Sequence, residues 1–128
     1  MKYILLFYSN PATWNHPTHL YNAEVKTDED RARLKAEEEA SNKALEGSNE
    51  VGEGTALADP KTAKTINRRG GKLIVTDGPF IETREQLAGY FLLDCESMER
   101  AVAIVSTFPG LEYDSCEIRP VFEWSGEA

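Results

Sequence analysis

The spacing of apolar and polar positions changes along the chain, and each change predicts a secondary-structure element. Residues 2–8 are almost wholly apolar and rich in β-forming side chains, which predicts a central strand buried on both faces. Residues 88–94 form a second apolar run of this kind, and residues 116–124 are predicted to be the last strand. A short strand is expected at residues 55–57, in a segment rich in glycine.

The first helix is predicted to begin where Thr27 or Asp28 can cap it and to run to about Glu46. Gly47 is a suitable stop, because glycine readily adopts the left-handed conformation that ends many helices. The apolar stripe of this helix is thin, which predicts a surface helix with one face barely buried. The stripe consists of an i+4 row of alanines with two leucines beside it: Ala32, Ala36, Ala40, Ala44, Leu34 and Leu45.

A second helix is predicted to begin at Ser97 and to end before Pro109–Gly110. Its apolar positions recur at helical spacing: Met98, Ala101, Val102, Val105 and Phe108. Upstream of it, the sequence RRGG at residues 68–71 lies between two strand-like runs. This pattern predicts a β-hairpin in which the two glycines take positive φ.

The elements follow one another in the order strand, helix, strand, inserted hairpin, strand, helix, strand. Without the hairpin this order is β-α-β-β-α-β, the ferredoxin-like pattern of an α+β fold, with an expected sheet order of 4-1-3-2. The two helices can cover only one face of such a sheet. Residues 3–8 (YILLFY) and 90–93 (YFLL) lack an alternating polar face. A second subunit is the simplest cover for the other face, so a homodimer is expected.

Composition narrows the classes of protein that the chain can represent. Its 128 residues suit a single domain, expected over residues 1–128. The net charge of −8 repels phosphate backbones and anionic lipids, so neither a nucleic acid nor a membrane is expected as a partner.

The sequence has no apolar run of about 18 residues that would predict a transmembrane helix. Its N-terminal apolar run is too short for an export signal, so a cytoplasmic location and free thiols at Cys95 and Cys116 are expected.

Residues 76–86 (TDGPFIETREQ) are the first candidate for a functional site, because they contain three carboxylates: Asp77, Glu82 and Glu85. A capping-box pattern within this stretch predicts one helical turn beginning at Arg84, which would hold Glu82 and Glu85 near Asp77. Close carboxylates raise one another's proton affinity, which is how an acid/base pair is made. Solvated turn residues are the more common outcome for such spacing, and both interpretations stay open.

Asp77 also has a structural interpretation. Its side chain can accept hydrogen bonds from the backbone N–H of Gly78, of Phe80 or of a residue in the following helical turn, because aspartate closes turns on its own chain in this way. On this interpretation Phe80 packs inward and holds the loop in place. Glu82 and Glu85 are then left to face a cleft.

Three segments resemble the DGPF branch of the YCII-related family: MKYILLFY (residues 1–8), VTDGPFIETREQLAGYFLLD (75–94) and EIRP (117–120). The motif that carries the resemblance is Asp77-Gly78-Pro79-Phe80, followed by Glu82, Glu85, Gly89 and Tyr90. The resemblance implies a ferredoxin-like fold paired into a dimeric α/β barrel, with a cleft near this loop. It also implies two kinds of function. Related YCII proteins have been considered enzyme-like because of a histidine and an aspartate in a pocket, and some relatives are linked to extracytoplasmic-function sigma factors.

His16 and His19 are the nearest candidates for that family histidine, although their proline-rich segment does not align with it. Two histidines three residues apart also resemble half of a metal site. A third ligand is missing from the pattern, so a solvated loop is favoured and no metal is expected. Trp14, in the same segment, either lines a cleft or anchors the loop.

Tyr90 and Arg119 are expected to project from strands, where each either contacts a ligand or belongs to the core or a subunit interface. An arginine beside acidic loop residues more often forms a structural ion pair than a substrate site. The sequence contains no G-x-S-x-G motif, no P-loop and no dinucleotide fingerprint, so no cofactor is expected.

Two functions remain for the structure to weigh. In the first, a dimeric barrel binds a small molecule in a cleft beside the Asp77 loop, and Asp77 with Glu82 or Glu85 supplies acid/base chemistry. In the second, the chain is a non-catalytic regulatory or interaction protein, and the loop only shapes the fold. Whether the protein is an enzyme stays open at this point.

Overall fold

The computed structural model describes residues 1–10 and 26–124 and has the α+β order that the sequence predicts. Its elements are β1 (Lys2–Ser9), α1 (Asp28–Ala44), β2 (Val51–Ala56), a 3-10 turn (Pro60–Thr62), β3 (Lys64–Arg69), β4 (Lys72–Asp77), β5 (Gln86–Asp94), α2 (Met98–Val105) and β6 (Ser115–Pro120). Without β3 and β4 this order is the ferredoxin-like β-α-β-β-α-β pattern.

Four strands form one antiparallel sheet in the order β2-β5-β1-β6. With the hairpin strands left out of the count, this order is the predicted 4-1-3-2. The register pairs Tyr3 with Leu93 on one side of β1 and with Pro120 on the other. The central place of β1 is therefore confirmed, and its residues 3–8 each pair with a residue on both flanking strands.

The core lies on the sheet face that the helices cover, here called the helix face. Buried side chains of β1 and β5 pack there against α2: Tyr3, Leu5, Leu93, Cys95, Ala101, Ile104 and Val105. The rings of Phe7, Phe91 and Phe108 extend this core, with centroids 6.0–6.3 Å apart. Because side chains alternate along a strand, the intervening residues of each strand lie on the opposite face, here called the outer face.

Both helices begin at the predicted caps. Thr27 Oγ1 accepts a hydrogen bond from Asp30 N at 3.0 Å, and Ser97 Oγ accepts one from Arg100 N at 3.1 Å. The surface position predicted for α1 is confirmed, but the alanine row is not its buried face, because all four alanines are exposed. Leu34 and Ser41 are the buried residues of this helix. Within the described part of the chain, no helix is both long and apolar enough to cross a lipid bilayer.

An ion pair fastens α2 to the segment before β2. Arg100 donates to the Glu50 carboxylate from two nitrogens, Nε to Oε2 at 3.0 Å and Nη2 to Oε1 at 2.7 Å. These hydrogen bonds lower the pKa of Glu50 below its ordinary value, because they favour the charged carboxylate.

Two strand boundaries differ from the prediction for physical reasons. β2 covers Val51–Ala56 rather than residues 55–57, although glycine weakens the strand signal there. The structure explains why residue 54 is a glycine, since a Cβ at this position would lie 2.3 Å from the Phe91 ring. β6 ends at Pro120 rather than at residue 124, because its partner strand β1 begins at Lys2. The N–H of Val121 donates to the carbonyl of Lys2, and β1 has no further residue with which residues 122–124 could pair.

The predicted hairpin is confirmed and forms a separate two-stranded sheet of β3 and β4. Gly70 and Gly71 have φ of 55° and 78°, as a two-residue turn between twisted strands requires. The hairpin exposes three aliphatic side chains, Ile66 by 62%, Leu73 by 57% and Val75 by 54%.

Cys95 and Cys116 are both free thiols, as predicted. The strands β5 and β6 are both antiparallel to β1 and lie on either side of it, which keeps the two sulfurs apart. Burial raises the pKa of the Cys116 thiol to about 11, and the nearby carboxylate of Glu117 adds to the effect.

Candidate functional site

Asp77 ends β4 and pairs with Lys64 across the hairpin. Its Oδ1 accepts a hydrogen bond from Lys64 Nζ at 2.6 Å, and both side chains are exposed. The predicted turn closure by Asp77 is wrong, because the register places the ammonium of Lys64 directly opposite this carboxylate. The N–H of Gly78 donates instead to the carbonyl of Ala63, at 2.7 Å.

Phe80 does not pack inward, which corrects a second prediction about this loop. Its side chain is 72% exposed, and that of the neighbouring Ile81 is also exposed. Aromatic packing in the core is supplied by the three phenylalanines of the helix face instead. Phe80 is therefore a surface residue of the described structure, and it does not pin the loop.

The helical turn predicted at Arg84 is absent, because the chain enters β5 at Gln86. The Gln86 side chain holds the loop in a different way, since its Nε2 donates to the carbonyl of Ile81 at 2.6 Å. The three carboxylates of the loop consequently have different surroundings. Asp77 pairs with a lysine, Glu82 is exposed, and Glu85 reaches the start of β6.

A polar row lies along β6 on the outer face of the sheet. Its members alternate with the helix-face residues of that strand: Ser115, Glu117 and Arg119. Arg119 Nη2 lies 2.7 Å from Glu117 Oε2, so the structural ion pair expected for this arginine forms within its own strand. At the other end of the row, Ser115 Oγ donates to Glu85 Oε1 at 3.4 Å.

Tyr90 lies on the same face, across β1 from this row. The register pairs it with Leu6, which in turn pairs with Glu117. The Tyr90 side chain is partly buried, and its hydroxyl makes no hydrogen bond within residues 1–10 and 26–124. The sheet therefore brings Glu85, Tyr90 and Arg119, three of the predicted site residues, to one face.

The centre of the outer face is apolar. Ile4 and Leu6 of β1 lie between β5 and the polar row, and Leu92, two residues beyond Tyr90 on β5, pairs with Ile4. An apolar floor with polar groups at its margin is typical of small-molecule sites.

Four polar residues of this region were missed by the sequence analysis: Ser9, Asp114, Ser115 and Glu117. Ser9 is buried at the end of β1, and its Oγ donates to Asp114 Oδ1 at 2.6 Å. Together with the contact between Ser115 and Glu85, this bond ties the starts of β5 and β6 to the end of β1. The one available signal was a serine that directly follows an apolar strand, which also fits an ordinary loop entry.

Trp14, His16 and His19 lie outside the described residues, so their predicted roles stay predictions. Among the residues that the structure describes, no three His, Cys, Asp or Glu side chains are grouped closely enough to hold a metal ion.

The chain belongs to the YCII-related domain family, whose model matches residues 1–125. It is also similar to an uncharacterised protein of Rhizobium meliloti (strain 1021), with 37% identity over 67 residues. That alignment covers 51% of this chain and 54% of the relative, so the chain spans about half the length of the curated protein it matches. The family agrees with the ferredoxin-like fold described above.

Proposed function

We propose that the protein is a homodimer that pairs through the outer face of its sheet and binds a small molecule on that face. The observation that carries the proposal is Tyr90, a partly buried residue beside the apolar centre of the outer face, whose hydroxyl makes no hydrogen bond within the described chain. A hydroxyl without a protein partner can both donate to and accept from a bound ligand.

The apolar floor supports the dimer. Leu92 is exposed, and Ile4 and Leu6 are only partly buried, although all three lie in the middle of the sheet. Closed pairing of two identical faces is the usual route by which soluble proteins bury such a surface. Two copies of the polar row would then border the space between the sheets.

The polar groups that border the apolar centre of the outer face suggest the class of ligand. Arg119 offers donors, Glu85 and Glu117 offer acceptors, and the Tyr90 hydroxyl offers both. A small molecule with an apolar body and a polar end fits this set. Among the three loop carboxylates, the contact of Glu85 with Ser115 favours Glu85 for an acid/base role.

Ligand-detected NMR with a library of small aromatic and aliphatic acids, amides and alcohols tests the binding proposal. We expect fragments to bind the wild type and to bind Tyr90→Phe and Arg119→Gln at least tenfold more weakly. Lys35→Gln, which removes an exposed cation from α1, is the control and is expected to bind like the wild type. Fragments that bind all four proteins equally would contradict the assignment of this face.

The exposed aliphatic residues of the hairpin favour a second candidate, a regulatory or interaction protein without catalysis. The resemblance to relatives linked with extracytoplasmic-function sigma factors suggests one class of partner. The absence of fragment binding, together with calorimetric binding of a purified sigma factor of this class, would favour this candidate over the first.

A further inference from the structure

One face of the β3–β4 hairpin exposes three aliphatic side chains. Cross-strand register places Ile66 opposite Val75 and Leu73 opposite Arg68 on this face, with the pair of Lys64 and Asp77 at its end. The other face is mostly polar, with Thr65 and Asn67 among its residues. An isolated two-stranded hairpin is marginally stable in water, so a covering surface would stabilise it considerably.

The charge of the hairpin is opposite to that of the rest of the molecule. Residues 64–77 carry four cations against one carboxylate, Asp77, a net charge of +3. Because the whole chain has a net charge of −8, the remainder carries −11. The hairpin is therefore attracted electrostatically to the body of a second copy of the same chain.

A complementary surface follows β6, an edge strand of the four-stranded sheet. Phe122 and Trp124 are exposed by 79% and 68%, and their ring centroids lie 6.1 Å apart. Glu123 lies between them in sequence, so the segment 121–124 combines an aromatic pair with a negative charge. The aliphatic face and the arginines of the hairpin suit both properties, since aromatic rings attract cations and apolar side chains alike.

We propose that the hairpin is an arm that docks on segment 121–124 of a second copy of this chain. Six-residue strands give the arm a length of about 20 Å. In a two-fold dimer each arm reaches the tail of the other copy, so the contact occurs twice and closes the assembly. This inference rests on the homodimer proposed above and adds a second contact that is distinct from the outer face.

Sedimentation of dilution series separates the two contacts. We expect the double variant Ile66→Ser/Val75→Ser to dimerise at least tenfold more weakly than the wild type, and Phe122→Ala/Trp124→Ala to do the same. Ile74→Ser changes an exposed aliphatic residue of the opposite hairpin face and is expected to dimerise like the wild type. Circular dichroism checks that each variant keeps its fold.

Leu92→Glu tests the outer face independently. If Leu92→Glu is monomeric while the hairpin and tail variants dimerise like the wild type, the arm is wrong and the outer-face dimer stands. If only the hairpin and tail variants dimerise more weakly than the wild type, the arm contact is supported and the outer-face dimer is wrong. A wild type that is monomeric at micromolar concentration overturns both.

A cross-link locates the contact directly. A Val75→Cys chain mixed with a tagged Phe122→Cys chain is expected to form a disulfide-linked dimer that contains one chain of each kind. The exposed Thr76, on the other hairpin face, provides the control as Thr76→Cys, and it is expected to cross-link far less. Equal cross-linking of both hairpin positions, or none from Val75→Cys, contradicts the proposed docking face.

Discussion

Adjacent residues of one strand show how differently the two faces of the sheet are used. Leu93 lies on the helix face and is 1% exposed, whereas Leu92, its neighbour on the outer face, is 44% exposed. Both are leucines in β5, and both pair with residues of β1. The helix face therefore holds the buried core, while the outer face leaves apolar side chains exposed.

The largest effect is expected from breaking the helix face. Leu93→Ala removes a fully buried side chain and leaves a cavity, so it should lower the free energy of unfolding by about 2–5 kcal/mol. Leu92→Ala, the matched control, should lower it by less than about 1 kcal/mol when measured at a concentration where the protein is monomeric. Urea denaturation of the two variants measures both, and equal losses would contradict the distinction between the faces.

The next effect concerns the close approach of strands. A Cβ at residue 89 would lie 2.8 Å from the carbonyl oxygen of Thr55, a backbone atom of the paired strand, so Gly89→Ala should cost about 1–3 kcal/mol. At residue 54 the obstacle is the Phe91 ring, a side chain that can rotate. Gly54→Ala should therefore cost less, and chemical denaturation that ranks the two variants in the reverse order would show that the Phe91 ring is fixed.

The ion pair between Glu50 and Arg100 should give a smaller effect that depends on pH. The pKa of Glu50 is lowered in the folded protein, so its contribution is present above the ordinary value of 4.5 and is lost as the pH falls through the lower folded-state pKa. Glu50→Gln should lower the melting temperature at pH 7, and the difference should shrink below pH 4.5. Glu53→Gln, an exposed residue of β2, should melt like the wild type at both pH values.

The smallest effect is expected at Asp77. Its pair with Lys64 is exposed on both sides, so Asp77→Asn should change the free energy of unfolding by less than about 1 kcal/mol. Lys64→Gln should give a similarly small change. A larger loss from Asp77→Asn alone, in thermal melts of both variants, would restore a turn-closing role for this carboxylate.

The sequence predicts the fold well because its main signals are local. The apolar strands, the helix caps and the glycine turn each depend on neighbouring residues, and their order prescribes the sheet topology. The buried face of α1 was found only in part, because Leu34 was predicted beside the alanine row, whereas Ser41 carries no apolar signal and the four alanines are exposed. The end of β6 depends on where its partner strand β1 begins. The sequence of residues 121–124 carries no signal of that position.

The candidate site is harder to predict because it depends on register. The loop motif directed attention to Asp77 and Phe80, and the structure leaves both exposed, away from the polar row of β6. Glu85 was found among the loop carboxylates, but its contact with Ser115 follows from strands that are distant in sequence. Glu117 was missed for the same reason, since its position beside Leu6 on the outer face becomes visible only when β6 lies beside β1.

The turn at Gly70 and Gly71 divides the chain into halves that depend on each other completely. The first half contains β1, β2 and β3, and the second contains β4, β5 and β6. Every strand pairing in the described structure joins one half to the other: β1 with β5, β1 with β6, β2 with β5, and β3 with β4. Neither fragment of a chain cleaved at this turn has a native strand partner of its own, so the two fragments can recover the sheet only by complementing each other.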